Sequence, residues 1–286
     1  MKIAGAPISW GVSEVPGWGR VLDPGTVLAE MAALGLTATE LGPPGYLPAD
    51  PSALRRLLDG HGLALVGGFL AVPLHTDVRA TAAEADRVAA LLAAAGAEVL
   101  VLAAATGLDG YDERPALTDD EWRTLVHTAA AVRDRAADHG LRTALHPHVG
   151  THVERAAEVE RFLADSDLDL CLDTGHLLIG GTDPVDLARR HPGRIGHVHL
   201  KDVRADIAAT VRAGELGYAA AVRRRIYVPL GEGDIDVAGL VALLRDTGYT
   251  GWHVLEQDTA LGDDDPPDGP ARDTAAGLAH LGRLTA

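Results

Sequence analysis

The chain has 286 residues, 47% hydrophobic, 4% aromatic and 23% charged, with one cysteine and a formal net charge of −16. That length fits one large α/β barrel or two small domains, and the negative charge disfavours nucleic acid or an anionic membrane as partner. No apolar run reaches the roughly 18 residues of a membrane span, and the N-terminus lacks a signal-peptide core, so a cytoplasmic protein is expected.

Residues 2–8 (KIAGAPI) are expected to form a first strand that runs into Ser9-Trp10-Gly11 and a Gly- and Pro-rich loop ending at Trp18 and Gly19. Helical spacing over 24–34 stops at Gly35, and TATELG is a second strand ending in Glu40. The cycle repeats. Helix PSALRRLLDGH leads to strand LALVGGFL, helix 80–95 to strand EVLVLAA, and helix 118–139 through Gly140 to strand RTALHPH. Helices 154–164, 184–191 and 236–247 precede the strands LDLCLD, RIGHVHL and WHVLE, and a last helix spans about 271–284. Asp183 is the expected N-cap of the helix opened by Pro184, and another helix is expected to be capped near Asp234.

Eight strands alternating with helices most simply close into a single-domain (β/α)8 TIM barrel covering 1–286, with a doubly wound sheet as the other arrangement. Two excursions interrupt the repeat, residues 203–231 and the Asp/Pro-rich 262–270; both leave from the carboxyl ends of strands, and the first could form a lid or a contact in a homo-oligomer. Arg223-Arg224-Arg225 is too short a basic run to suggest a phosphate groove.

The last residues of the strands supply Glu40, His146, His148, Asp173, His176, His197, His199, Lys201 and Glu256. Strand side chains alternate, so His197 and His199 share a side, as do His146 and His148 if the strand stays extended past Pro147. Imidazoles and carboxylates converging on one rim suit a divalent metal with open positions. His75, His127, His152 and His253 are expected as ordinary hydrogen-bonded groups, and Cys171, inside an apolar strand, as a small buried hydrophobe. Dinucleotide loops, phosphate loops and a nucleophilic serine elbow find no support. Trp10 and Trp18 are either core or an apolar wall against a sugar ring.

The stretches APISWG, HPHVGTHVE (146–154), LDTGHLLIGGTDPVDLARRHPGRIGHVHLKDVR (172–204), VPLGEGDIDV (228–237) and GWHVLEQD (251–258) span most of the chain in order. They resemble the xylose-isomerase-like TIM barrels of the sugar phosphate isomerase/epimerase group, and HPHVGT followed by HVHLKDVR points to a dehydratase branch. The resemblance implies a metal-dependent enzyme for a keto-polyol, most simply one that dehydrates an inosose-like substrate. An isomerase or epimerase is the rival within enzymes, and a non-catalytic polyol-binding barrel the rival outside them. Related epimerases hold the metal with Glu, Asp, His and Glu. Here the last three fall on Asp173, His199 and Glu256 and the first on His146, with His148 as the other candidate. Mn2+ or Co2+ is expected, Mg2+ or Zn2+ next. The implied roles are Glu256 as base, His176 or His148 as acid, Lys201 on a distal hydroxyl, Trp10 as a wall, and Glu40 and His197 as further substrate-binding residues.

Overall fold

In chain order the strands are β1 (Lys2–Gly5), β2 (Ala38–Thr39), β3 (Ala64–Leu65), β4 (Gly67–Val72), β5 (Val99–Ala104), β6 (Arg142–Leu145), β7 (Asp169–Asp173), β8 (Ile195–Leu200), β9 (Asp202–Val203), β10 (Tyr227–Val228) and β11 (Trp252–Leu255). The helices are α1 (Pro24–Ala33), α2 (Pro51–Gly60), α3 (Val78–Ala95), α4 (Asp119–Asp138), α5 (Ala156–Asp165), α6 (Thr174–Gly180), α7 (Pro184–Arg190), α8 (Ala205–Arg212), α9 (Tyr218–Arg223), α10 (Val237–Asp246) and α11 (Gly269–Thr285). This computed structural model describes residues 1–285.

The parallel sheet runs β3-β2-β1-β11-β8-β7-β6-β5-β4. Its two ends are one length of chain. β3 and β4 are separated only by Val66, whose N–H donates to Thr39 O on one side and whose carbonyl accepts from Glu98 N on the other, so the ring closes through this residue. The expected eighth strand count therefore holds, with LALVGGFL bent in its middle. Glycine is needed at the bend: a Cβ on Gly67 would stand 2.6 Å from Val99 O, and one on Gly68 would stand 2.9 Å from Leu92. β5 (VLVLAA) is buried at every position, as a parallel strand covered on both faces must be.

The helix starts follow their caps. Asp23, Asp50, Asp77, Thr118 and Asp183 each accept from a backbone N–H in the first turn, and Thr118 with Glu121 completes a capping box. Three expectations shift, and one helix is new. The first strand stops at Gly5, because Pro7 opens a 3-10 turn over Pro7–Trp10 that Gly11 ends at φ 79°. Residues 174–180, for which the sequence predicts no element, form α6, because the Asp173 side chain accepts from His176 N as its N-cap. The helix expected to be capped near Asp234 is capped by Asp236, while Asp234 accepts from Ala205 N. The last helix begins at Gly269, absorbing the end of the 262–270 excursion.

The 203–231 excursion is a small unit of its own. β9 and β10 pair antiparallel, with α8 and α9 between them. The buried Asp202 carboxylate fastens its return by accepting from Gly231, Gly233 and Ile235 N. Among the described residues no helix is long and apolar enough to cross a membrane.

Candidate active site and metal centre

A cavity of about 280 Å³ opens where the barrel strands end. Its walls include Glu40 after β2, Phe69 to Val72 of β4, His146 and His148 after β6, His199 of β8, Lys201, and Glu256 and Asp258 after β11. The parallel strands deliver polar groups to this edge while their apolar faces fix the backbone beneath.

Asp173 ends β7 with no exposed surface. Its Oδ1 accepts from His176 N at 2.8 Å, which locks the carboxylate. Its Oδ2 lies 3.1 Å from His146 Nε2, 3.2 Å from Lys201 Nζ and 3.5 Å from His199 Nδ1. Glu256 Oε2 is 3.2 Å from the same His199 Nδ1 and 3.1 Å from Lys201 Nζ. Ligand atoms of Asp173, His199 and Glu256 lie within 4.8 Å of one another, as do those of His146, Asp173 and His176. His148 belongs to no such group; its Nδ1 is 2.7 Å from Val149 O. Of the two alternatives at the end of β6, His146 is therefore the one placed beside Asp173.

This donor set fits a divalent cation on two counts. His199 Nδ1 is buried without a hydrogen bond although two carboxylate oxygens stand within 3.5 Å, an arrangement that a shared ion explains. Three buried carboxylates, Asp173, Glu256 and Asp258, stand within 3.2 Å of one ammonium, Lys201, and a fourth, Glu40, is buried against His197 and His199; an uncompensated surplus of buried negative charge is costly.

The site's electrostatics follow from that crowding. Burial would raise the Glu256 carboxyl, but the His199 and Lys201 charges outweigh it and hold it below its usual range. Burial likewise opposes ionisation of Asp173, and Lys201 and His176 outweigh it. Burial disfavours the Lys201 ammonium, yet Asp173, Asp258 and Glu256 hold its pKa well above the ordinary value. Burial, with His146 nearby, pushes His148 well below the usual histidine range. The buried Cys171 thiol is pushed up to about 12 by desolvation, as an inert core group should be.

Several expected residues take other positions. Trp10 is not a wall of the cavity: it is fully buried and its Nε1 donates to Glu30 at 2.6 Å. Trp18 lines the cavity instead, its Nε1 donating to Thr259 O. His197 lies beneath the cavity with its Nε2 2.8 Å from Glu40 Oε1, and His199 Nε2 is 3.1 Å from the same oxygen, so the pair does share a side. His176 stands behind His148 rather than in the wall, its Nε2 3.0 Å from Lys201 Nζ. Of the other histidines, His75 and His152 pack edge to face, and His253 packs on Tyr249.

Asp258, Tyr111 and Tyr218 line the cavity without having been singled out in the sequence. The position of Asp258, two residues beyond Glu256, was the available signal for it. Tyr218 sits in the irregular excursion, where no periodicity marks a side chain as inward.

A (β/α)8 barrel with an imidazole and carboxylate cluster at the carboxyl ends of its strands defines a class of rim-site enzymes. The chain belongs to the xylose isomerase-like TIM barrel family, whose pattern matches residues 28–283. It is similar to the inosose dehydratase of Geobacillus kaustophilus (strain HTA426), 37% identical over 279 residues, covering 91% of this chain and 89% of that one. It is also similar to the rhizopine catabolism protein MocC of Rhizobium meliloti, 36% identical over 268 residues, covering 90% and 81%. Among solved structures, the probable 3-DHS dehydratase AsbF from Bacillus anthracis superposes with a TM-score of 0.72 at 19% identity over 99% of both chains. An L-ribulose 3-epimerase gives 0.70 at 19% over 99% of this chain and 93% of that one. At such identities these two show a common fold.

Proposed function

We propose that this protein is a metal-dependent carbon–oxygen lyase that removes water from an inosose-like keto-polyol. The observation that carries the reading is one cavity lined by His146, His199 and Glu256 together with the imidazole of His148, with the buried Asp173 against His146 and His199 completing the donor set. The names of the relatives that match about 90% of the chain support the substrate class. His146, Asp173, His199 and Glu256 would hold the ion, Mn2+ or Co2+ by the mixture of imidazole and carboxylate. Such an ion supplies Lewis-acid polarisation of a carbonyl and an adjacent hydroxyl.

The chain's own residues then divide the work. His148 Nδ1 donates to Val149 O, so its Nε2 carries the lone pair and is the free base in the wall. It takes the proton α to the carbonyl and, now protonated, returns it to the β-hydroxyl as the C–O bond breaks. The C–H electron pair becomes the new C=C bond and one water leaves. Glu256, the expected base, has its Oε2 turned to His199 and Lys201, which suits holding the ion better than reaching a ring carbon. Lys201 keeps its proton and presents it to substrate oxygen. One base serving both steps requires the lost proton and hydroxyl to share a ring face.

The test is turnover of 2-keto-myo-inositol followed by NMR, with the protein loaded with Mn2+ or Co2+. Formation of the unsaturated or diketone product is expected. Solvent deuterium entering without water loss would replace the reading by an isomerase or epimerase, and saturable binding without turnover under any metal by a binding module.

A further inference from the structure

Beyond the metal donors, the cavity has a second polar wall. Asp258 lies there 6% exposed, with Oδ1 2.7 Å from Lys201 Nζ and Oδ2 accepting from Tyr218 OH at 2.7 Å. Tyr218 comes from α9 in the excursion, and its hydroxyl is 2.9 Å from that of Tyr227, the first residue of β10. The barrel end and the excursion thus meet on one carboxylate. Asp258, Lys201 and Tyr218 all line the cavity.

These groups are not saturated by each other. A carboxylate offers about four acceptor positions, and Asp258 fills one with Tyr218 and faces Lys201 with an oxygen that lies off the line of a hydrogen bond. The Lys201 ammonium has three protons and one hydrogen bond, to His176 Nε2 at 3.0 Å, while Asp258 Oδ1, Glu256 Oε2 and Asp173 Oδ2 face it as ion pairs at 2.7, 3.1 and 3.2 Å. A proton therefore remains for a ligand oxygen. Donor and acceptor side by side match a hydroxyl, which is itself both. A methylene there would leave a buried carboxylate and ammonium against carbon, and a site built this way rejects such an analogue strongly.

We infer that Asp258, with Lys201 and held in place by Tyr218, forms the subsite for one ring hydroxyl of the substrate and decides that the substrate must carry it. This rests on the keto-polyol reading of the same cavity. It makes Asp258 a specificity-determining residue, and makes the excursion a part of substrate recognition through Tyr218.

The experiment compares kcat/KM for 2-keto-myo-inositol and its monodeoxy derivatives in the Mn2+-loaded protein and in Asp258→Ala and Asp258→Asn. In the parent, loss of the hydroxyl at one ring position is expected to lower kcat/KM about 100-fold or more. Asp258→Ala should shrink that ratio to about 5-fold or less while leaving the ratios at other positions unchanged, with Asp258→Asn between. Metal content and Tm are measured alongside; if the alanine variant loses metal, the asparagine variant carries the comparison. A uniform fall for every substrate, with all ratios kept, would overturn the inference and leave Asp258 a structural prop. If the parent turns over no keto-inositol, the lyase reading fails separately. Calorimetric Kd values for myo-inositol and its monodeoxy series then decide: a position-specific penalty lost in the variant sustains the subsite, and equal or absent affinities overturn it.

Discussion

His148 and His176 lie ring against ring, centroids 3.7 Å apart and planes 33° from parallel, yet only His148 faces the cavity. His176 is the support: its Nε2 accepts from Lys201 Nζ at 3.0 Å and its Nδ1 lies 3.4 Å from Val149 N. The two therefore separate in kinetics. His148→Asn, whose amide can still donate to Val149 O, should lower both α-proton exchange and dehydration by about 10²–10⁴-fold with metal retained. His176→Asn should cost less and act through Lys201. Exchange at the parent rate in His148→Asn would return the base role to Glu256.

Metal binding should appear as stability. Stripping with chelator and restoring Mn2+ should raise Tm, the gain amounting to about 2.7 kcal/mol when free metal is 100 times its Kd. In Asp173→Asn the Tm should no longer respond to Mn2+, since the amide loses the charge that His146, His199 and Lys201 surround.

Glu40 Oε1 is shared by His197 and His199, and their charges with their hydrogen bonds hold its carboxyl below the usual range against desolvation. It thereby orients the imidazole whose other nitrogen faces Asp173 and Glu256. Glu40→Gln should weaken Mn2+ affinity about 10–100-fold, read by metal titration. An unchanged affinity with a raised KM would mark Glu40 as a substrate contact instead.

Trp10 and Trp18 should behave oppositely. Trp10→Phe removes the bond to Glu30 in the core and should cost stability on the order of 1–2 kcal/mol while leaving KM unchanged. Trp18→Ala opens the cavity wall and should raise KM. Steady-state kinetics with urea unfolding distinguish them.

Stability should fall in acid partly through His253. Burial depresses its pKa to about 4, so between 6.5 and 4 the unfolded chain binds a proton that the folded protein refuses. The contribution is full above pH 6.5 and is lost as pH falls through that window, at most on the order of 3 kcal/mol. Urea unfolding at pH 7 and pH 4.5 should show a smaller loss for His253→Gln than for the parent.

The sequence by itself determined the barrel and most of the rim. Apolar runs of strand length alternate with capped helices, and the period of two in HVH places His197 and His199 on one side whatever surrounds them, as the shared Glu40 oxygen shows. Asp183, Thr118 and Pro184 act within a turn of themselves, so their local meaning survives folding. What only the tertiary structure decided depends on partners far along the chain. Trp10 is core and Trp18 cavity because their indoles donate to Glu30 and to Thr259, 20 and 241 residues away. Asp258 matters because Lys201 and Tyr218 arrive from β8's end and from an excursion without periodicity. The bend at Val66 closes the ring through bonds to two different strands' chains, which no pattern within LALVGGFL encodes. Periodicity records which face a residue takes in its own element; which element stands opposite is set by the closure of the barrel.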